Sequence, residues 1–249
     1  EALHAKLEEA GSMDTETNVG SEAFQIPETA IDAFDEVFNE ANNIYNSSEK
    51  VDEIEAATKA LEEAMQALKN PTLNAPKKGE LFCIANISEG FAYKNNAVSP
   101  VYNEAKAEDG EYDLKWYHIV DANYAQALKF TPVEGQKNQY TISFIDEEGN
   151  TRYFSTQALA GYMDGGNVST RHDRIRATKE AEKALPFEIS LAGEGVYKLK
   201  NTLHGSNIGS TSDDGFFTTN NLSDLSLVKA EKANVPLSIT AAGWCTLIL

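Results

Sequence analysis

The chain has 249 residues, 41% of them hydrophobic, and a mean hydropathy of -0.41, values typical of a soluble globular protein of one or two domains. Its net charge of -18 is uneven, with -13 in residues 1–76 and -5 in the rest, and such an acidic surface excludes nucleic acid as a partner. Two cysteines are too few for a disulfide-rich scaffold or a structural zinc site, and no apolar run reaches the ~20 residues of a membrane span.

Residues 1–70 have the apolar periodicity of amphipathic helices. Residues 29–46 and 51–68 each place apolar side chains three and four positions apart, with acidic residues between them. Ser47-Ser48 offers an N-cap between the two helices, and Asn70-Pro71 ends the second. A shorter helix near Leu3 would cover the open side of this antiparallel pair. The sequence therefore predicts a three-helix bundle with an irregular loop at residues 11–21.

Four stretches of this helical segment resemble a known module. Ala30-Ile31-Asp32-Ala33-Phe34 with Asn43-Ile44-Tyr45, and then residues 48–52 and 60–68, are similar to the FIVAR module. FIVAR modules are small three-helix bundles of extracellular and cell-wall-associated bacterial proteins, often beside carbohydrate-active domains. The resemblance covers about the first 70 residues and implies a helical module on a secreted or surface protein. A generic helical spacer is the alternative interpretation, and the two differ little in function.

Residues 71–79 predict a linker between two domains. This segment holds Pro71 and Pro76 and ends in Gly79. Proline cannot continue a helix and favours extended backbone in the residue before it. We therefore expect the second domain to begin at about residue 80.

From Leu81 onward the apolar pattern alternates with period two and recurs three times. Each unit opens with an aromatic residue followed two positions later by an aliphatic one, and the aromatic residues are 58 and 57 positions apart. These pairs are Phe82 and Ile84, Tyr140 and Ile142, and Tyr197 and Leu199. Closing strands are predicted at residues 128–133, 185–190 and 235–240. Each unit then offers about four short strands, and three such units around an axis close a barrel without free sheet edges.

This threefold pattern of twelve short strands over residues 80–240 resembles the β-trefoil of the ricin-type lectin family. The third unit is the most similar, with Val196–Asn201 followed by a turn at Gly205 and a short strand. The predicted fold class is thus multidomain α and β, a small N-terminal helical bundle followed by an all-β, threefold-repeated β-trefoil. The chain lacks the family's Gln-x-Trp motif and its disulfide pairs. Those departures weaken the inference of sugar binding more than the inference of fold.

The segment 211–221 is the candidate ligand site. Sugar sites combine an aromatic face with carboxylate and amide groups that bind hydroxyls in pairs. One loop and its strand would supply these groups from Asp213, Asp214, Phe217 and Asn220. The alternative is a turn followed by a strand, with Phe216 or Phe217 in the core.

The remaining chemistry-bearing residues have no pattern that predicts catalysis. The four histidines are scattered without metal-ligand spacing, and there is no Gly-x-Ser-x-Gly motif or phosphate-binding loop. Nothing singles out the two close carboxylates that a glycosidase needs. We therefore predict that the protein is not an enzyme and has no metal site and no cofactor.

The combined prediction is a noncatalytic carbohydrate-binding, lectin-like module of a secreted or cell-surface bacterial protein, with a glycan as its partner. A structural or protein-interaction spacer of a larger multidomain surface protein is the alternative. The apolar residues 241–249 resemble the opening strand of a further β domain in surface proteins of Bacteroides-type bacteria. We therefore expect the other domains of one parent protein as additional partners.

Overall fold

The structure is a computed structural model that describes residues 1–87, 96–102, 112–118, 127–146, 148–157, 173–203, 207–210, 217–219 and 224–230. The chain divides into two compact units, Glu1–Ala75 and Pro76–Leu249. The first is helical and the second is an antiparallel sheet, so the predicted order of a helical module and a β domain is confirmed. Within the described ranges, none of the helices has the length and apolar character needed to span a membrane.

The helical unit contains three helices whose apolar stripes meet in one core. They are α1 (Ala2–Gly11), α2 (Glu28–Ser47) and α3 (Val51–Lys69). Helix α1 contributes Leu3 and Leu7, which are buried against residues of both other helices. The most deeply buried side chains of α3 are Leu61 and Met65. Burying a side chain of this size stabilises the fold by about 1.5–3 kcal/mol, so the stripe positions decide which faces meet.

The loop between α1 and α2 is fastened by residues that follow α3. Asn74 accepts a hydrogen bond from the Phe24 N–H at 2.8 Å and donates its own N–H to the Gln25 carbonyl at 2.8 Å. Its side-chain Nδ2 donates to the Gly20 carbonyl at 2.7 Å. Phe24 has a φ of 66° and Leu73 is buried beside this segment. Residues 71–75 therefore pack onto the helical unit, and the predicted irregular loop has fixed hydrogen bonds.

Among the described residues of the second unit, twelve strands form one antiparallel sheet. Their bounds are Leu81–Asn86 for β1, Asn96–Tyr102 for β2, Tyr112–His118 for β3, Lys129–Pro132 for β4, Gln139–Ile145 for β5, Thr151–Gln157 for β6, Asp173–Thr178 for β7, Pro186–Gly193 for β8, Val196–Asn201 for β9, Ile208–Ser210 for β10, Phe217–Thr219 for β11 and Leu225–Ala230 for β12. A short 3₁₀ turn, Ala181–Lys183, precedes β8.

The sheet is strongly curled. Strands β1, β12, β9, β8, β5 and β4 pair in that order. Phe82 of β1 then exchanges two backbone hydrogen bonds of 2.8 Å with Leu128, the residue before β4. These two bonds bring the last strand of the row back to the first, which leaves β1 hydrogen-bonded on both sides.

The six residues that opened the predicted repeats all lie in the core of this unit. The aromatic members Phe82, Tyr140 and Tyr197 are 3–7% exposed, and their aliphatic partners Ile84, Ile142 and Leu199 are 0% exposed. Phe130 contacts both Phe82 and Tyr140 in edge-to-face geometry, with ring centroids 6.0 and 6.2 Å apart. Their burial makes all six part of the hydrophobic core of the β unit.

Strand β12 pairs with both β1 and β9. Leu225 of β12 is in register with Tyr197, in the position that Phe187 has opposite Tyr140 and Leu128 has opposite Phe82. The predicted closing strand at residues 235–240 lies outside the described residues and stays a prediction. Apolar alternation identifies strands but does not tell which strand each one pairs with, so the partners of β12 could not be predicted from the sequence.

Candidate functional site

The predicted ligand segment 211–221 contains strand β11 and directly follows strand β10. Strands β10 and β11 pair antiparallel, with Ser210 opposite Phe217. Strand β11 also pairs with β7 through Thr218 and Thr219. Phe217 is thus the first residue of β11, whereas Asp213, Asp214, Asn220 and the side chain of Phe217 lie outside the described residues. The predicted sugar contacts remain a prediction.

One polar group in the β unit surrounds a buried ion pair. Arg152 Nε donates to Asp146 Oδ2 at 2.6 Å, and the two side chains are 3% and 0% exposed. Asp146 Oδ1 also accepts the N–H groups of Glu148 and Asn150, at 3.0 and 2.8 Å. Gly149 supplies the positive φ of 83° in this turn. The group therefore fixes the β5–β6 connection.

The pKa of Asp146 reflects two opposing effects. Burial alone would raise the pKa, because it penalises the charged carboxylate. The hydrogen bonds from Arg152 and Asn150, with the positive charge of Arg152, outweigh burial and lower the pKa below its ordinary value. An ionised carboxylate held in this way stabilises the turn and has no proton to donate near neutral pH, so it is a poor candidate for a general acid.

The nucleophilic and phenolic side chains described in the β unit are core groups. Burial raises the pKa of the Cys83 thiol to about 11, so the thiol stays protonated at neutral pH. Burial also raises the pKa of Tyr140 and of Tyr197. None of the three is set up for nucleophilic or acid–base chemistry near pH 7.

The ranges that the structure describes include no group of three His, Cys, Asp or Glu side chains placed to hold a metal ion. His4 lies on α1, where its ring is 5.3 Å from that of Tyr45 and its Nδ1 is 3.9 Å from Glu8 Oε2. His118 ends β3, while His172 and His204 lie outside the described residues.

A groove between α2 and α3 is a feature that the sequence analysis missed. It has a volume of about 210 Å³ and is lined by Val37, Glu40, Ala41, Ile44, Ala56, Ala57 and Ala60. The signal in the sequence was the cluster of alanines in the first half of α3, where larger side chains would have filled the space. Alanine contributes little to an amphipathic pattern, so the pattern identifies the core-facing stripe but not this groove.

Comparison with protein-family models and with curated proteins gives no match for this chain. The FIVAR and ricin-type resemblances therefore rest on the residues quoted for them, and the function has to be argued from the structure and the sequence.

Proposed function

We propose that the β unit is a threefold β-trefoil of ricin type and that it serves as a noncatalytic, lectin-like carbohydrate-binding module. In the same proposal, the helical unit is a FIVAR-like module and the parent is a secreted or cell-surface bacterial protein. The observation that carries this proposal is the repetition of one pairing scheme in three successive groups of four strands.

In each group the first strand pairs with the fourth through an aromatic residue and a buried apolar one. The pairs are Phe82 with Leu128, Tyr140 with Phe187, and Tyr197 with Leu225. The fourth strand then pairs with the first strand of the next group, as β4 does with β5, β8 with β9, and β12 with β1. Each of these two kinds of strand pairing thus occurs three times around the six-strand ring, which is the relation expected of a threefold repeat.

The second and third strands of each group support the same assignment. They form the hairpin-like pairs β2–β3, β6–β7 and β10–β11. Strand β7 also pairs with β3 and with β11, so the three pairs join one another. Strands β2 and β6 pair with β1 and β5 of the ring. A six-strand ring joined to three pairs of strands is the arrangement that a β-trefoil requires.

The third group is where the repeat is most altered. Its aromatic and apolar partners are 28 positions apart, compared with 46 and 47 in the first two groups. Asp213, Asp214 and Asn220 belong to this shortened group, next to β11 in the sequence. Loops carry recognition while the repeated strands carry the fold, which supports this segment as the glycan site.

A glycan array followed by calorimetry on the full chain tests the proposal. We expect at least one sugar to bind, and Asp213→Asn to weaken its binding about tenfold, as loss of a paired hydroxyl contact would. Glu182→Gln removes the same charge from the exposed 3₁₀ turn and should leave binding unchanged. Absence of binding at millimolar sugar, or equal effects of both variants, would contradict the proposed site.

A structural spacer is the second candidate, favoured by the fastened end of the helical unit. Asn74 ties the segment after α3 to the loop before α2, which limits movement of the chain where it leaves the bundle. A spacer that orients neighbouring domains needs such a fixed exit. If this is the function, Asn74→Ala should make residues 71–75 accessible to limited proteolysis, and the full chain should bind no sugar on the glycan array.

A further inference from the structure

The groove between α2 and α3 is a largely apolar surface feature of the helical unit, taken by itself. All of its lining residues come from these two helices, so α1 does not cover it. Ala41 and Ala57 are buried, Val37 and Ile44 are half-buried, and Ala56 and Ala60 are exposed. The small side chains on α3 leave room for another chain to approach the backbone closely.

The dimensions of the groove fit a helix. Its lining positions on α2 run from Val37 to Ile44 at spacings of three and four residues, which corresponds to about 10 Å along the axis, or two helical turns. Two parallel rows of side chains on neighbouring helices accept the ridge of a third helix packed at an interaxial distance of about 8–10 Å. An added helix here would pack against α2 and α3 as in a bundle.

The negative charge of α2 and α3 favours a positively charged partner at the groove. Helix α2 carries five acidic residues and no basic one, and α3 carries five acidic residues and two lysines. All ten carboxylates are exposed, and Glu40 lines the groove itself. A second copy of this chain would bring the same acidic helices, against a net charge of -18 on each molecule, so self-association is disfavoured.

We propose that this groove docks a basic amphipathic helix of a partner protein. The apolar stripe of the partner would pack on Val37, Ile44 and the alanines of α3. Its lysine or arginine side chains would lie against Glu40 and the other exposed carboxylates. This interaction is separate from the proposed glycan site, which lies in the β unit.

A labelled synthetic peptide of about 18 residues, with leucines on one helical face and lysines on the other, is the probe. Its binding to the full chain is followed by fluorescence anisotropy at low salt and at about 0.15 M salt. We expect Ala60→Gln to fill the groove and weaken binding about tenfold. Ala67→Gln is the matched control, because Ala67 is an exposed residue of the same helix that does not line the groove.

The charge requirement has its own pair of variants. Glu40→Gln should weaken peptide binding more than Glu28→Gln, which removes the same charge from the start of α2. Since glutamine is a good helix former, all four variants should keep the circular dichroism of the parent chain. Three results would overturn the proposal: equal effects of Ala60→Gln and Ala67→Gln, equal effects of the two glutamate variants, or equal binding of a scrambled peptide with the same lysines.

Discussion

At the scale of single residues, Asp146 shows how a buried charge is retained. Its carboxylate accepts from one charged donor, Arg152, from two backbone N–H groups and from the side-chain amide of Asn150, so most of its hydrogen-bonding capacity is used. Removing one member of such a pair leaves the other charge buried without compensation, which costs more than the pair itself contributes. No pattern in the sequence indicated the burial of Arg152 or of Asp146.

Asp146→Asn should therefore lower the free energy of unfolding at pH 7 by about 3 kcal/mol, measured by urea denaturation. Because the folded-state pKa of Asp146 lies below the ordinary value of 3.8, its contribution is present above about pH 4 and is lost as the pH falls through the folded pKa. The difference between variant and parent should accordingly shrink in acid.

Glu148→Gln is the control for this prediction. The Glu148 carboxylate is 3.7 Å from Lys179 Nζ in a pair whose side chains are 65% and 51% exposed. Solvent screening limits such a pair to about 0–1 kcal/mol, so the variant should be close to neutral. A loss in Glu148→Gln as large as that in Asp146→Asn would show that the whole turn, and not the buried pair, is responsible.

At the scale of elements, the sequence predicted the three helices, most strands and the core positions, because each depends on local periodicity. It did not determine non-local pairing. Strand β12 has the same alternation as other strands, and only the register of Leu225 with Tyr197 and with Asn86 shows which strands it pairs with. The ligand segment is harder still, since loop conformation is set by contacts that no periodic pattern encodes.

Leu225→Ala tests the position of β12 in the ring. The side chain is 0% exposed, so truncation should leave a cavity and lower the free energy of unfolding by about 2–5 kcal/mol. Val228→Ala on the same strand is the matched comparison, because Val228 is 36% exposed and should lose less than about 1 kcal/mol. Equal losses in urea denaturation would contradict the assignment of Leu225 to the core.

At the scale of the whole molecule, the two units differ strongly in net charge. Residues 1–76 carry -13 of the total charge of -18, and the ion pairs on the helices, such as Lys6 with Glu9 at 3.0 Å, offset only part of it. Repulsion among the exposed carboxylates should therefore destabilise the helical unit at low ionic strength. In the β unit the numbers of acidic and basic side chains are closer to equal, and some of them form ion pairs, such as Lys229 with Glu80.

Raising the salt concentration from about 0.01 M to 0.5 M should raise the midpoint of thermal unfolding of the helices, because the screening length falls from about 30 Å to a few ångströms. Circular dichroism at 222 nm measures this midpoint. A midpoint that falls with salt would mean that the attractive ion pairs outweigh the repulsion, and the charge argument would then be wrong for this unit.

The fastening of Asn74 has a mechanical consequence. A force pulling on the chain beyond residue 75 reaches the three hydrogen bonds of Asn74 and the buried side chain of Leu73 before it reaches the last turn of α3. The bundle is thus protected at that end from being unwound one turn at a time. Tension has to break these contacts of Asn74 and Leu73 first. While they hold, the helices bear no load from that side.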